Sequence, residues 1–112
     1  ACQDGVPDHG LYAQLLTAGG SPQGVIDMVG APGYAMLDQW QVQIQALVQL
    51  HARVYVYSDG LSDEQIRRAL LTPCTDIGAT VEELRREMGG NARIGVIPEG
   101  PETMARVRVT AA

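Results

Sequence analysis

Few residues in this chain can do chemistry, and their spacing narrows what that chemistry is. The metal-ligating set consists of His9, His51, Cys2 and Cys74, with Asp4 and Asp8 close to the first histidine. No pair shows the short ligand spacing of a zinc site, and Asp8 and His9 also read as residues that open a helix. His51 falls at the end of a helical pattern, where a partly positive imidazole suits the helix dipole. For nucleophilic catalysis, neither thiol has an activating motif, and Ser58 has no histidine near it in sequence. The carboxylate pairs Asp63–Glu64 and Glu82–Glu83 sit in first helical turns, where the dipole accounts for them. Gly30–Gly33 lacks the spacing and the preceding strand of a phosphate loop. The sequence contains no lysine, which removes Schiff bases, the P-loop lysine and any cofactor tethered through a lysine amine. No catalytic residue and no metal ligand are expected from this chain.

What remains is a binding surface. Trp40 is the one tryptophan of a chain without phenylalanine, and it stands between Gln39 and Gln41. An aromatic at helical spacing is usually core, but an indole facing a cleft with amides beside it also grips small polar ligands. In open α/β sheets ligands collect beyond the carboxyl ends of strands. Three small polar turns would meet there: Cys2–Gly5, Ser58–Gly60 and Pro98–Gly100. Such turns also end strands that bind nothing.

The elements that must position these residues follow from periodicity and caps. Asp8 opens a helix over 9–18, stopped by Gly19-Gly20. Ser21 as N-cap and Pro22 at the first helical position open a second, ended by Gly30. Over 38–51, Trp40, Val42 and Ile44 alternate with glutamines as a strand would. The longer pattern Leu37, Trp40, Ile44, Leu47, Val48 and His51 fits a helix better, and predicts that this stripe is its apolar face. Residues 53–58 (RVYVYS) and 93–97 (RIGVI) read as buried strands. Capping boxes at Ser62–Gln65 and Thr80–Glu83 open two further helices, the first stopped before Pro73. Residues 105–109 alternate and suit a short strand. Helices separating short apolar strands give an α/β domain: a small, mostly parallel sheet with helices on both faces, spanning residues 1–112 as one domain.

Composition agrees. The chain has 112 residues, of which 46% are apolar, and a net charge of −5. That suits one globular domain. All eight basic residues are arginines and they are scattered, so nucleic acid and anionic membranes are excluded as partners. No apolar run is long enough to span a bilayer, and residues 1–20 carry no secretory pattern. Two free thiols in a cytoplasmic protein are the expectation for Cys2 and Cys74; a redox pair is the weaker option. The opening ACQDG reads as the exit from a strand that would precede residue 1, so the chain is expected to be part of a longer polypeptide.

Four segments together resemble the C-terminal part of the nickel-dependent lactate racemase family: CQDGVPDHG at 2–10, DQWQVQIQ at 38–45, RVYVYSDGLSDEQIRRA at 53–69 and IPEGPET at 97–103. The resemblance implies a two-domain enzyme that interconverts stereoisomers of 2-hydroxy acids. By the same resemblance, a lysine and histidines of the N-terminal domain would hold a nickel pincer nucleotide, which would supply chemistry resembling hydride exchange at the substrate's C2. This chain would be the second lobe, closing over substrate and cofactor, with the N-terminal domain of the same protein as its partner. Of the family's site residues, the tryptophan of the QWQ helix carries over onto Trp40, with Gln39 beside it as a weaker candidate. Alone, the lobe would be inactive. The alternative is a non-catalytic α/β binding or interaction module that kept the fold.

Overall fold

The computed structural model describes residues 10–104 and 106. The chain divides after Thr80 into two compact units. In the first, helix α1 spans Tyr12–Gly19, α2 spans Pro22–Val29 and α3 spans Gln39–Gln49. Strand β1 (Tyr55–Val56), helix α4 (Asp63–Arg68) and strand β2 (Thr72–Pro73) follow. Helix α5, Ile77–Glu87, runs from the first unit into the second, which also holds a short 3-10 turn at Gly100–Glu102. The architecture is a small α/β domain, as the sequence predicts.

The core lies among α1, α2 and α3. Leu15, Leu16, Val25, Val29, Val42 and Ala46 form it, joined by Ala69 from the end of α4. Its tightness rests on two glycines. A Cβ at Gly24 would lie 2.1 Å from the carbonyl oxygen of Gly19, and one at Gly19 would lie 2.3 Å from a Val25 methyl. Gly24 is a poor helix former, but nothing larger lets α2 approach the end of α1 so closely. Ser21 caps α2 as predicted, its hydroxyl accepting from the Gly24 N–H at 3.0 Å. At α4 both halves of the Ser62/Gln65 capping box are made.

The two strands are parallel, pairing Tyr55 with Thr72 and Val56 with Pro73. The Thr72 N–H donates to Val54 and the Cys74 N–H to Val56. Proline serves in β2 because the ladder toward β1 uses the amides on either side of it.

Several expectations are corrected. The first helix begins at Tyr12 rather than at residue 9; Leu11 is its N-cap and makes no side-chain cap. The predicted cap Asp8, with His9, lies outside the described residues. The 53–58 run is reduced to two strand residues, half-buried rather than buried. Pro73, read as a helix stop, sits inside β2. Helix α5 begins three residues before Thr80, because Asp76 caps it: its carboxylate accepts from Ala79 at 2.8 Å, and Thr80 instead turns its hydroxyl back onto the Asp76 carbonyl. Residues 93–97 form no strand, and Ile94, Val96 and Ile97 are exposed. A β-branched run becomes a strand only against a neighbour that takes its backbone hydrogen bonds, and no described residues pair with it. The tail 105–109 falls almost entirely outside the described residues.

The largest correction concerns α3. It is a helix, but the predicted apolar stripe does not face the core. Val42 and Ala46 are fully buried, while Trp40 is 61% exposed, Ile44 55%, Leu47 45% and Val48 50%. The inward face is completed by Gln45 and Gln49, both half-buried. The Gln45 amide donates to the Ala69 carbonyl at 2.7 Å and to the Gln49 side chain at 3.3 Å, and accepts from the Tyr12 hydroxyl; the Gln49 amide donates to the Leu70 carbonyl. These carbonyls belong to the two residues that follow α4, where the chain turns through a left-handed Leu70 at φ 60°. Half-buried backbone carbonyls need partners, and the two glutamines supply them just past the helix end. Two polar side chains therefore claim the inner face, and the bulkier apolar residues are left outside.

Candidate functional site around Trp40

Trp40 occupies the first turn of α3, and the segment before it is fastened from both sides. Asp38 takes the left-handed conformation at φ 65° and does not cap its own helix. Its carboxylate instead accepts from the Leu11 N–H at 2.8 Å, tying the start of α3 to the start of α1. Gly10 makes this possible: its φ is 91°, and a Cβ there would lie 2.2 Å from the Asp38 carboxylate. Gln39 folds back so that its carbonyl oxygen accepts from the Met36 N–H at 2.7 Å. The structure thus separates the two candidate residues by role. Gln39 braces the turn, and Trp40 projects from a held backbone with its indole outward.

The surroundings of that indole carry no charge along α3 itself, since residues 39–50 contain only apolar and amide side chains. Such a face can enclose a ligand and exclude water. It cannot abstract a proton, coordinate a metal or act as nucleophile.

Of the three candidate turns, Cys2–Gly5 lies outside the described residues. Ser58–Gly60 follows β1, with the Ser58 hydroxyl accepting from the Gly60 N–H at 3.2 Å. Pro98–Gly100 leads into the 3-10 turn, where the Glu99 carbonyl accepts from the Thr103 hydroxyl at 2.7 Å. The segment that meets the carboxyl end of β1 is instead Cys74–Asp76, at the end of β2. Sequence reasoning misses this placement, because it reads Pro73 as a helix stop and Cys74 as a lone thiol or ligand rather than as parts of one strand and its exit. Cys74 is a free thiol, half-buried, 3.2 Å from the Thr80 hydroxyl. His51 lies just past α3, exposed, its N–H donating to Val48.

In the second unit, α5 and the segment after it form a shallow groove of about 220 Å³, lined by Val81, Leu84, Met88 and Ile94 with Arg85 and Arg93. Arg85 is already paired with Glu82 at 3.3 Å. Among the described residues no group of three histidine, cysteine or carboxylate side chains is placed to hold a metal ion. The chain has no lysine with which to tether a nucleotide. A nickel pincer nucleotide of the kind the resemblance implies is therefore not matched by the donors described in this chain. Among the described residues, no helix is long and apolar enough to cross a membrane.

Comparison with known proteins gives this surface its context. Residues 1–104 match the family model described as the lactate racemase C-terminal domain. A lactate racemase from Thermoanaerobacterium thermosaccharolyticum is 26% identical over 107 residues, covering 94% of this chain. The chain spans 25% of that relative's length. No solved structure matches. A match over nearly all of the chain settles its membership: this protein belongs to the lactate racemase C-terminal domain family.

Proposed function

We propose that this domain is the C-terminal lobe of a cytoplasmic 2-hydroxy-acid racemase or epimerase, and that it works by closing over a substrate held by an N-terminal domain. The observation that carries the reading is Trp40: a large aromatic, mostly exposed, on a charge-free helix whose first turn is braced by Gln39 and Asp38. An indole left mostly in water is free to cover a ligand or a neighbouring surface. Its value lies in what it covers.

In this reading the nickel pincer nucleotide, the catalytic bases and most polar contacts to substrate belong to the N-terminal domain, and no step of the reaction is assigned to residues of this chain. Trp40 packs its indole against the bound 2-hydroxy acid, displaces water from the reaction centre and limits the poses the substrate can take. Gln39 contributes mainly by holding that turn, with its amide nitrogen at the same edge as the donor available to a carboxylate or hydroxyl.

The test is Trp40→Ala in the full-length polypeptide that carries this domain. The rate of racemisation should fall about 10–100-fold, since a poorly enclosed and poorly oriented substrate reacts slowly. The unfolding midpoint should stay unchanged, because the indole is outside the core. Wild-type rates in that variant would remove Trp40 from the site. Proof that the full-length protein lacks racemase activity would favour the non-catalytic binding module.

A further inference from the structure

Beyond Trp40, the outer face of α3 continues for two more turns. Ile44, Leu47 and Val48 follow it at helical spacing, each about half exposed. Val48 stands eight residues from Trp40, about 12 Å along the axis at 1.5 Å per residue, too far for one small hydroxy acid to occupy both ends. A helix that faces water carries charged side chains on its outer side. This one has none between Gln39 and Leu50, in a domain whose net charge is −5. Contiguous exposed apolar residues of this kind mark a surface that is covered in the working assembly.

We infer that Ile44, Leu47 and Val48 form a docking strip for the polypeptide that precedes this domain in the full-length racemase. Two observations select that occupant. The chain accounts for only 25% of the length of the matched racemase, so in the two-domain reading a body of chain about three times its size neighbours this domain. The strip is also continuous with Trp40 on one rigid helix, so whatever Trp40 closes against brings the strip to the same neighbour. The covering surface is apolar and uncharged, since a charged group opposite these side chains would be stripped of water without a partner. The inference rests on the two-domain reading above and extends it: Trp40 closes the substrate site, and the strip behind it sets the docked position of the lobe.

The strip is tested by thiol labelling in the full-length protein without substrate turnover. Leu47→Cys and Val48→Cys replace outward-facing side chains and leave the buried Val42 and Ala46 untouched. Thr17→Cys, on the exposed side of α1, serves as control. Maleimide modification is followed by peptide mass spectrometry, which separates each site from the native Cys2 and Cys74. Modification of Cys at 47 and 48 should be at least tenfold slower than at 17, independently of protein concentration. Equal rates at all three positions in the intact protein would overturn the docking strip. Protection that appears only as concentration rises would also overturn it, by assigning the surface to a second copy of the chain. The readout needs no activity. Protection in a protein that racemises nothing would keep the strip and discard the racemase, while active enzyme with a freely labelled strip would do the reverse.

Discussion

The two faces of α3 invert the usual rule. The inner face is made of Val42, Gln45, Ala46 and Gln49; the outer of Trp40, Ile44, Leu47 and Val48. By hydropathy the outer face belongs inside. It stays outside because the inner one is matched to its neighbours in shape and hydrogen bonding. Small Val42 and Ala46 admit the close approach of α1 and α2, and the glutamines bond the carbonyls of Ala69 and Leu70 just after α4. The contrast teaches that burial within a domain and apolarity of a face answer to different demands. The inner face holds this domain together, while the outer face, together with its family membership, points to something the domain must meet.

Matched substitutions on the two faces give the strongest way to break this contrast. Val42→Asp places a charge in a fully buried site without a partner and should cost about 4 kcal/mol or more, enough to unfold a marginal domain. Urea denaturation of the 112-residue chain would register it. Near-native stability in that variant would mean that the faces have been assigned backwards.

Gln45→Ala sharpens the account of the inner face. It removes the donor to the Ala69 carbonyl and the acceptor for Tyr12, leaving half-buried polar groups unpaired, at about 1–3 kcal/mol. Gly24→Ala separates packing from propensity. Helix propensity alone predicts a gain of about 1 kcal/mol. The 2.1 Å approach to the Gly19 carbonyl predicts a loss instead, about 1–3 kcal/mol as for other overpacked contacts. The sign of the measured change decides between them.

A pH titration probes the same network more gently. Burial pushes the Tyr12 phenol above its ordinary value of 10.0. The folded state then keeps its proton where the unfolded state has begun to lose it. The associated stability is complete below pH 10.0 and declines as the pH rises through the folded-state value. Tyr12→Phe should flatten that alkaline slope in thermal melts. At the bottom of the scale, Val48→Asp on the outer face should change the stability of the isolated chain by no more than about 0.5 kcal/mol, against the large loss at Val42.

Much of the fold is legible in the sequence where the signal is local. Ser21-Pro22 and the Ser62/Gln65 box mark helix starts that the structure reproduces, because a cap is decided by a few adjacent atoms. The helical identity of 39–49 follows from its length and the absence of glycine and proline. Its orientation does not follow, because which face turns inward depends on Gly19, Gly24 and the Ala69 and Leu70 carbonyls, all distant in sequence or on other elements. The same limit explains residues 93–97, whose strand-like pattern finds no partner among the described residues, and β2, whose two residues form a strand only because Val54 and Val56 present their carbonyls to it. For the candidate site, Trp40 is visible from its rarity and its amide neighbours. The Gly10–Asp38–Leu11 clamp behind it is not, because it closes across 27 residues.

The central claim is that this domain supplies a covering surface and none of the reacting groups. Chiral chromatography of a panel of enantiopure 2-hydroxy acids, incubated with the isolated 112-residue chain and in parallel with the full-length polypeptide, tests it most directly. The account predicts loss of enantiomeric purity of at least one of these acids with the full-length protein and of none with the isolated chain at any concentration. Racemisation by the isolated chain would contradict it.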